Sequence, residues 1–269
     1  MDLKFYENTP PWEWPDDAGE YFLDILANDR AEASDRLLAA QLAGDATVVN
    51  DKIAKALLSI ISNGDESEEL RGRAAISLGP ALELAYIDDL YDDDDTTISE
   101  EVFQRIQESL RELFMDADIP KEARRRILEA AVRAPQDWHR EAVRTTYGSK
   151  DESWRLTAVF CMGYVRGFDE QILESLNSDN PDIHYQAVCA AGNWGLAAAW
   201  PHIAELLKSA GTDRDLLFAA IDAAVGIQHP DAEITLGDLI NSDDQDIVDA
   251  AHEALAMLDG LAEFEEYEE

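Results

Sequence analysis

Basic residues are scarce in this chain. Its 269 residues carry 58 acidic side chains against 21 basic ones, a formal charge of −37, and only six of the basic ones are lysine. Phosphate binding over the whole surface needs a basic footprint, so nucleic acid is not an expected partner. Anionic lipid is disfavoured for the same reason. Long apolar runs are also missing: nothing approaches about eighteen uninterrupted apolar residues, so no membrane-spanning helix is expected. Met1 to Trp14 lacks the basic start and apolar run of a signal peptide. The two cysteines, Cys161 and Cys189, form no CxxC pair and no disulfide framework, which points to a reducing cytoplasm. The acid excess has two readings: adaptation to a salty cytoplasm, or a surface that attracts a basic partner.

Catalytic signatures are equally thin. The five histidines (His139, His184, His202, His229, His252) show no HExxH or HxxxH spacing. No phosphate loop, dinucleotide fingerprint or GxSxG elbow occurs. The acidic run Asp88–Asp95 lacks the alternating ligands and central glycine of a calcium loop and reads as a solvated segment. Cys161 falls among small core residues, and Cys189 has no evident activating base. No catalytic residue, cofactor or metal site is expected.

What the chain does have is repetition. Asp151 to Gly163 aligns column for column with Asn180 to Gly192. One column reads Leu70, Ala123, Trp154, Ile183, Leu216, Ile247. Four residues on it reads Ala74, Ile127, Ala158, Ala187, Ala220, Ala251, and three further Ser77, Ala130, Cys161, Ala190, Ala223, Ala254. Spacing of i, i+4, i+7 is one face of a helix, and small residues there let a neighbouring helix come close. Before the first column stand Glu69, Glu122, Ser153, Asp182, Asp215 and Asp246, as a helix N-terminus favours. The spacing between Leu70 and Ala123 exceeds the period by roughly twenty residues, which marks an insertion. Further stripes predict helices over about 99–116, 137–147, 168–177, 198–209 and 231–241, with three more at Tyr21–Ala27, Ala33–Leu42 and Asp45–Ile61. No alternation argues for a strand.

The expected fold is all-α, an α-solenoid of about seven stacked antiparallel helix pairs. Residues 1–17, with Thr9-Pro-Pro-Trp-Glu-Trp-Pro15, read as a cap segment, 18–258 as the solenoid with an acidic insertion at 86–98, and 259–269 as an acidic tail. A unit near thirty residues with Asp151, Trp154–Arg155, Ala158 and Gly163 resembles the short HEAT-like repeat, in the version seen in the E/F-type phycobilin lyase family. Asn180, Ile183–His184, Ala187 and Gly192 repeat it with His for Arg, and Leu217 and Val248 fill the Arg column later. The resemblance implies architecture; HEAT-like families include scaffolds, chaperone-like adaptors and lyase subunits.

A second charge feature is local. Residues 119–166 hold ten basic and six acidic side chains, a basic island in an acidic chain. It is either a docking site or a partner for the acidic insertion. Arg71, Arg124, Arg155 and His184 should recur on successive second helices, either holding carboxylates of a ligand or pairing internally, as Asp151 with Arg155. The expected role is a non-catalytic scaffold whose concave face binds a protein, possibly through a basic segment, with Arg124, Arg155, His184, Tyr185 and Trp194 as contacts. The alternative is a lyase-type or chaperone-like enzyme subunit binding a tetrapyrrole or other small ligand; a DNA-processing enzyme conflicts with the charge.

Overall fold

The computed structural model describes the backbone of residues 2–91 and 97–268 and the side chains of 2–87 and 97–260. Among these residues there is no strand, and the helices are α, apart from 3-10 turns at Pro11–Glu13 and Ala197–Ala199. Two compact units form, Met1–His139 and Arg140–Glu269. The first contains α1 (Leu3–Glu7), α2 (Ala18–Leu26), α3 (Ala33–Leu42), α4 (Asp51–Ser62), α5 (Glu68–Tyr91), α6 (Glu100–Met115) and α7 (Lys121–Ala131). After α8 (Asp137–Tyr147), the second contains α9 (Glu152–Met162), α10 (Asp169–Ser175), α11 (Pro181–Asn193), α12 (Trp200–Lys208), α13 (Arg214–Ile227), α14 (Ala232–Leu239) and α15 (Gln245–Glu268). No described helix is long and apolar enough to cross a membrane.

Consecutive helices pack as pairs at α2/α3, α4/α5, α6/α7, α10/α11, α12/α13 and α14/α15. Second helices stack on second helices, α3 on α5 on α7 in the first unit and α9 on α11 on α13 on α15 in the second. Every member of the two small-residue columns, Ala74 to Ala251 and Ser77 to Ala254, is buried. Burial against a neighbouring helix favours small side chains there, and all but Ile127 are small.

Capping refines the helix starts. The side chains of Asn180, Asp213 and Asp244 accept the amides of Asp182, Asp215 and Asp246, so the capping oxygen stands two residues before the acidic row. The acidic row itself occupies the first turn, where the helix dipole favours it. α4 begins at Asp51 rather than Asp45. Asn50 Oδ1 takes the amides of Lys52 and Ile53 at 2.9 and 3.2 Å. Asp45 instead closes a turn by accepting from Thr47 N and Oγ1.

The N-terminal segment adds α1, which carries no long stripe. Tyr6 stacks on Tyr21 and meets Phe22 edge-on, and Trp14 Nε1 donates to the carbonyls of Tyr6 and Thr9. Trp12 is 79% exposed. α5 carries Pro80 and continues to Tyr91, so the acidic segment begins as helix backbone. The rest of that segment, residues 92–96, and the side chains of the acidic C-terminal tail from 261 onward lie outside the described residues.

His139, at the start of α8, is fully buried and lies against Trp138, with ring centroids 3.9 Å apart. Its Nδ1 accepts the Gln136 amide at 2.8 Å. Burial pushes its pKa down to about 4. The folded value lies below the unfolded one, so this group's contribution is complete above about pH 6.5 and fades as the pH falls towards 4. The gap corresponds to about 3 kcal/mol. Urea unfolding at pH 7 and pH 4.5 should show that His139→Gln removes most of this loss relative to the parent. An equal pH dependence in both proteins would contradict the assignment.

Candidate protein-docking face

The last carbonyls of a helix have no donor within it. Three arginines supply one across a pair, each to the carbonyl ten residues upstream. Arg36 Nη2 donates to Leu26 O at 3.1 Å, Arg71 Nε to Ile61 O at 2.8 Å and Arg124 Nε to Phe114 O at 2.9 Å. Arg36 thus belongs to the same column as Arg71 and Arg124, one repeat earlier than the columns read from sequence begin. These guanidinium groups cap the first helix of the pair from the start of the second. Arg124 also lies over the Phe114 ring, 5.4 Å from its centroid.

The second unit treats the column differently. Arg155 lies over the Tyr147 ring at 5.1 Å and pairs with Glu174 at 3.8 Å, while its Nε is buried without a hydrogen-bond partner. His184 turns to His202 on α12, Nε2 to Nε2 at 2.7 Å. Trp194, past the end of α11, donates from Nε1 to Met162 O at 2.6 Å, capping α9, and its ring carries the Arg166 guanidinium at 4.4 Å. Of the five contact residues expected from sequence, four lie in the second unit and Arg124 in the first. Arg124, Arg155 and Trp194 are each engaged at helix ends, and Tyr185 alone opens onto the stacked face of second helices.

The basic island is largely matched by acids of its own neighbourhood. Arg125 pairs with Glu122 at 2.6 Å and Glu129 at 3.7 Å, Arg126 with Glu129 at 2.6 Å, and Arg144 with Glu141 at 2.6 Å. Arg133 reaches Glu83 on α5. Gly72 and Gly79 of α5 make room for this: the stems of Arg126 and Arg133 lie directly over them. The α5–α7 face thus carries these ion pairs beside a hollow of about 600 Å³ lined by Glu68, Glu69, Gly72, Arg73, Ile76, Glu122 and Arg126.

The corresponding face of the second unit is open and differently built. One position after the Arg column stand Leu156, Tyr185, Phe218 and Asp249; four residues on stand Phe160, Cys189, Asp222 and Glu253. With Tyr164 beside Phe160 at 5.4 Å between centroids, the aromatic residues Phe160, Tyr164, Tyr185 and Phe218 are all half-buried. Asp215, Asp222, Asp249 and Glu253 are exposed. The face thus passes from rings on α9 and α11 to carboxylates on α13 and α15. Residues 167–260 contain 18 acidic side chains and two basic ones, Lys208 and Arg214. Arg214 is already held by Asp244 at 3.2 Å and by Asp246.

The electrostatics of this face are coupled. The Tyr185 pKa is raised, first by the charge a Cys189 thiolate would carry, then by burial, the Cys189 hydrogen bond, and Asp215 and Asp222. Burial pushes the Cys189 thiol up, opposed by its Tyr185 hydrogen bond, so it stays protonated and is no nucleophile at neutral pH. Loss of solvent and then the Glu253 charge raise Asp222. Carboxylates crowded this way gain from a cation that comes between them. In the sequence, the signal for this face is the register of Phe218 with Tyr185 and of Asp222 with Cys189, one and five positions after the Arg column.

Neither a family model nor a curated protein matches the chain. Several solved structures do. The phycocyanin lyase complex of CpcE and CpcF from Nostoc sp. is 17% identical, covering 94% of this chain and 98% of that one, with a TM-score of 0.48. Human deoxyhypusine hydroxylase is 16% identical over 96% of each chain, with a TM-score of 0.41. A computationally designed armadillo repeat protein for modular peptide recognition is 15% identical, covering 88% of this chain and 98% of that one, with a TM-score of 0.34. In its helix-pair architecture the chain is similar to HEAT-like repeat proteins.

Proposed function

We propose that this protein is a helical-repeat scaffold that docks a positively charged segment of a partner protein on the face formed by α9, α11, α13 and α15. The row of half-buried rings running into exposed carboxylates carries this reading. Apolar side chains of the segment would sit on Phe160, Tyr164, Tyr185 and Phe218, while its lysines or arginines meet Asp215, Asp222, Asp249 and Glu253. Preordered helices lose little freedom on binding, and the excess of acid speeds approach of a basic partner and repels acidic ones. Arg124, Arg155 and Trp194 then act as framework that sets the helix ends, with Tyr185 the direct contact.

The test is fluorescence anisotropy with a labelled peptide that alternates arginine and leucine. Asp222→Lys combined with Asp249→Lys should weaken binding about tenfold or more, equivalent to about 1.4 kcal/mol or more. Helicity by circular dichroism should stay unchanged, because both side chains are exposed. Unaltered affinity in the double variant would remove this face as the docking site.

A further inference from the structure

His184 and His202 come together from different helices in a way no spacing motif announces. His184 stands on α11 at the position where other repeats carry an arginine that caps the preceding helix. It leaves that role and instead faces His202 on α12. The two Nε2 atoms lie 2.7 Å apart, with ring planes at 75°. Both rings are half-buried, so the converging nitrogens are held by packing yet reachable from solvent.

We propose that His184 and His202 form a two-imidazole binding site for a borderline divalent cation of the zinc, cobalt or nickel class. Imidazole nitrogen is a favoured ligand of these ions. Bond lengths of about 2.0–2.1 Å in a tetrahedral sphere place two ligand nitrogens about 3.3 Å apart. The rings must therefore separate by about 0.6 Å, a small rotation for half-exposed side chains. In the metal-free pair one Nε2 carries the proton shared between the rings. On binding, that ring carries its proton on Nδ1 instead, both Nε2 lone pairs turn to the ion, and the rings stay neutral.

Glu205, three residues after His202 on the same face of α12, adds a carboxylate near the pair, and the acidic surroundings raise the local cation concentration. Among the described residues no third histidine, cysteine, aspartate or glutamate completes a ligand group. Water or a ligand atom of a bound partner fills the remaining positions, so the site is open rather than a closed structural centre.

The experiment titrates the full chain with Zn2+ in excess Mg2+, which occupies scattered carboxylates, and follows the histidine ring nitrogens by NMR. One equivalent of Zn2+ should move the Nε2 resonances of His184 and His202 together and leave His139, His229 and His252 in place. His184→Gln and His202→Gln should each weaken Zn2+ binding about tenfold or more, as loss of a ligand costs at least what loss of its support does. Circular dichroism reports whether each variant keeps its helices. Zn2+ binding that is unchanged in both folded variants, or ring resonances that do not move, would overturn the proposal. This outcome is independent of the docking test, which uses neither histidine.

Discussion

Arg36→Ala is expected to lower the stability of the chain by about 3–5 kcal/mol, read as a fall in the urea midpoint. The Arg36 guanidinium grips Glu66 bidentately, at 2.8 and 2.6 Å, and also holds Leu26 O. The side chains of this pair are only 10% and 14% exposed. Truncation strands a nearly buried carboxylate and the last carbonyl of α2 together, and both then bear the cost of lost solvation. The hydrogen bond to Glu66 is also the largest cause of the raised Arg36 pKa. Arg36→Lys keeps the charge but not the fork and should cost less, about 1–2 kcal/mol. Arg144→Ala, which removes an exposed pair 63% and 72% open to solvent, should change stability by less than about 1 kcal/mol. Equal effects of Arg36→Ala and Arg144→Ala would show that the helix-end column does not hold the pairs together.

Gly226→Ala should destabilise the second unit by about 3 kcal/mol or more. A Cβ there would stand 2.2 Å from Gly192 O and 2.8 Å from its carbonyl carbon. Those are backbone atoms and cannot swing aside, so α11 and α13 must part along the contact that positions Tyr185 against Asp222. Alanine gains roughly 1 kcal/mol over glycine in helix propensity, and overpacking of a rigid contact outweighs that. Gly237 in α14 gives the converse. Nothing lies within 4 Å of a Cβ there, so Gly237→Ala should stabilise by about 0.5–1 kcal/mol. The pair of variants separates close approach from propensity: thermal midpoints that rise in both would contradict the helix contact.

These two sites also mark where sequence reasoning succeeds and where it stops. Buried small residues repeat, so Ala158, Ala187 and Ala220 announced the stacking face directly, and Gly163 and Gly192 marked the repeat ends. The physical reason for Gly192, contact with Ala223 and Gly226 of the next second helix, needs the three-dimensional crossing. Arg36 went unseen because its flanking residues do not keep the apolar column. α1 was missed because a helix of five residues carries too few turns for a stripe. On the docking face, Tyr185 stood out as an aromatic beside an odd histidine. Phe218 and Asp222 did not, since positions open to solvent, in part or wholly, tolerate any side chain and repeat no residue type. The His184–His202 contact spans 18 residues and two helices, beyond any local spacing rule.

The measurement that tests docking on the second-helix face most directly is amide and side-chain NMR mapping on the full chain, with a basic, leucine-containing peptide as probe. The expected result is a contiguous set of shifts at Phe160, Tyr164, Tyr185, Phe218, Asp222 and Asp249, weakening as salt rises from about 0.15 M to about 1 M because exposed charge pairs are screened. Shifts confined to the α5–α7 face or to Trp12, or no shifts at all, would contradict it.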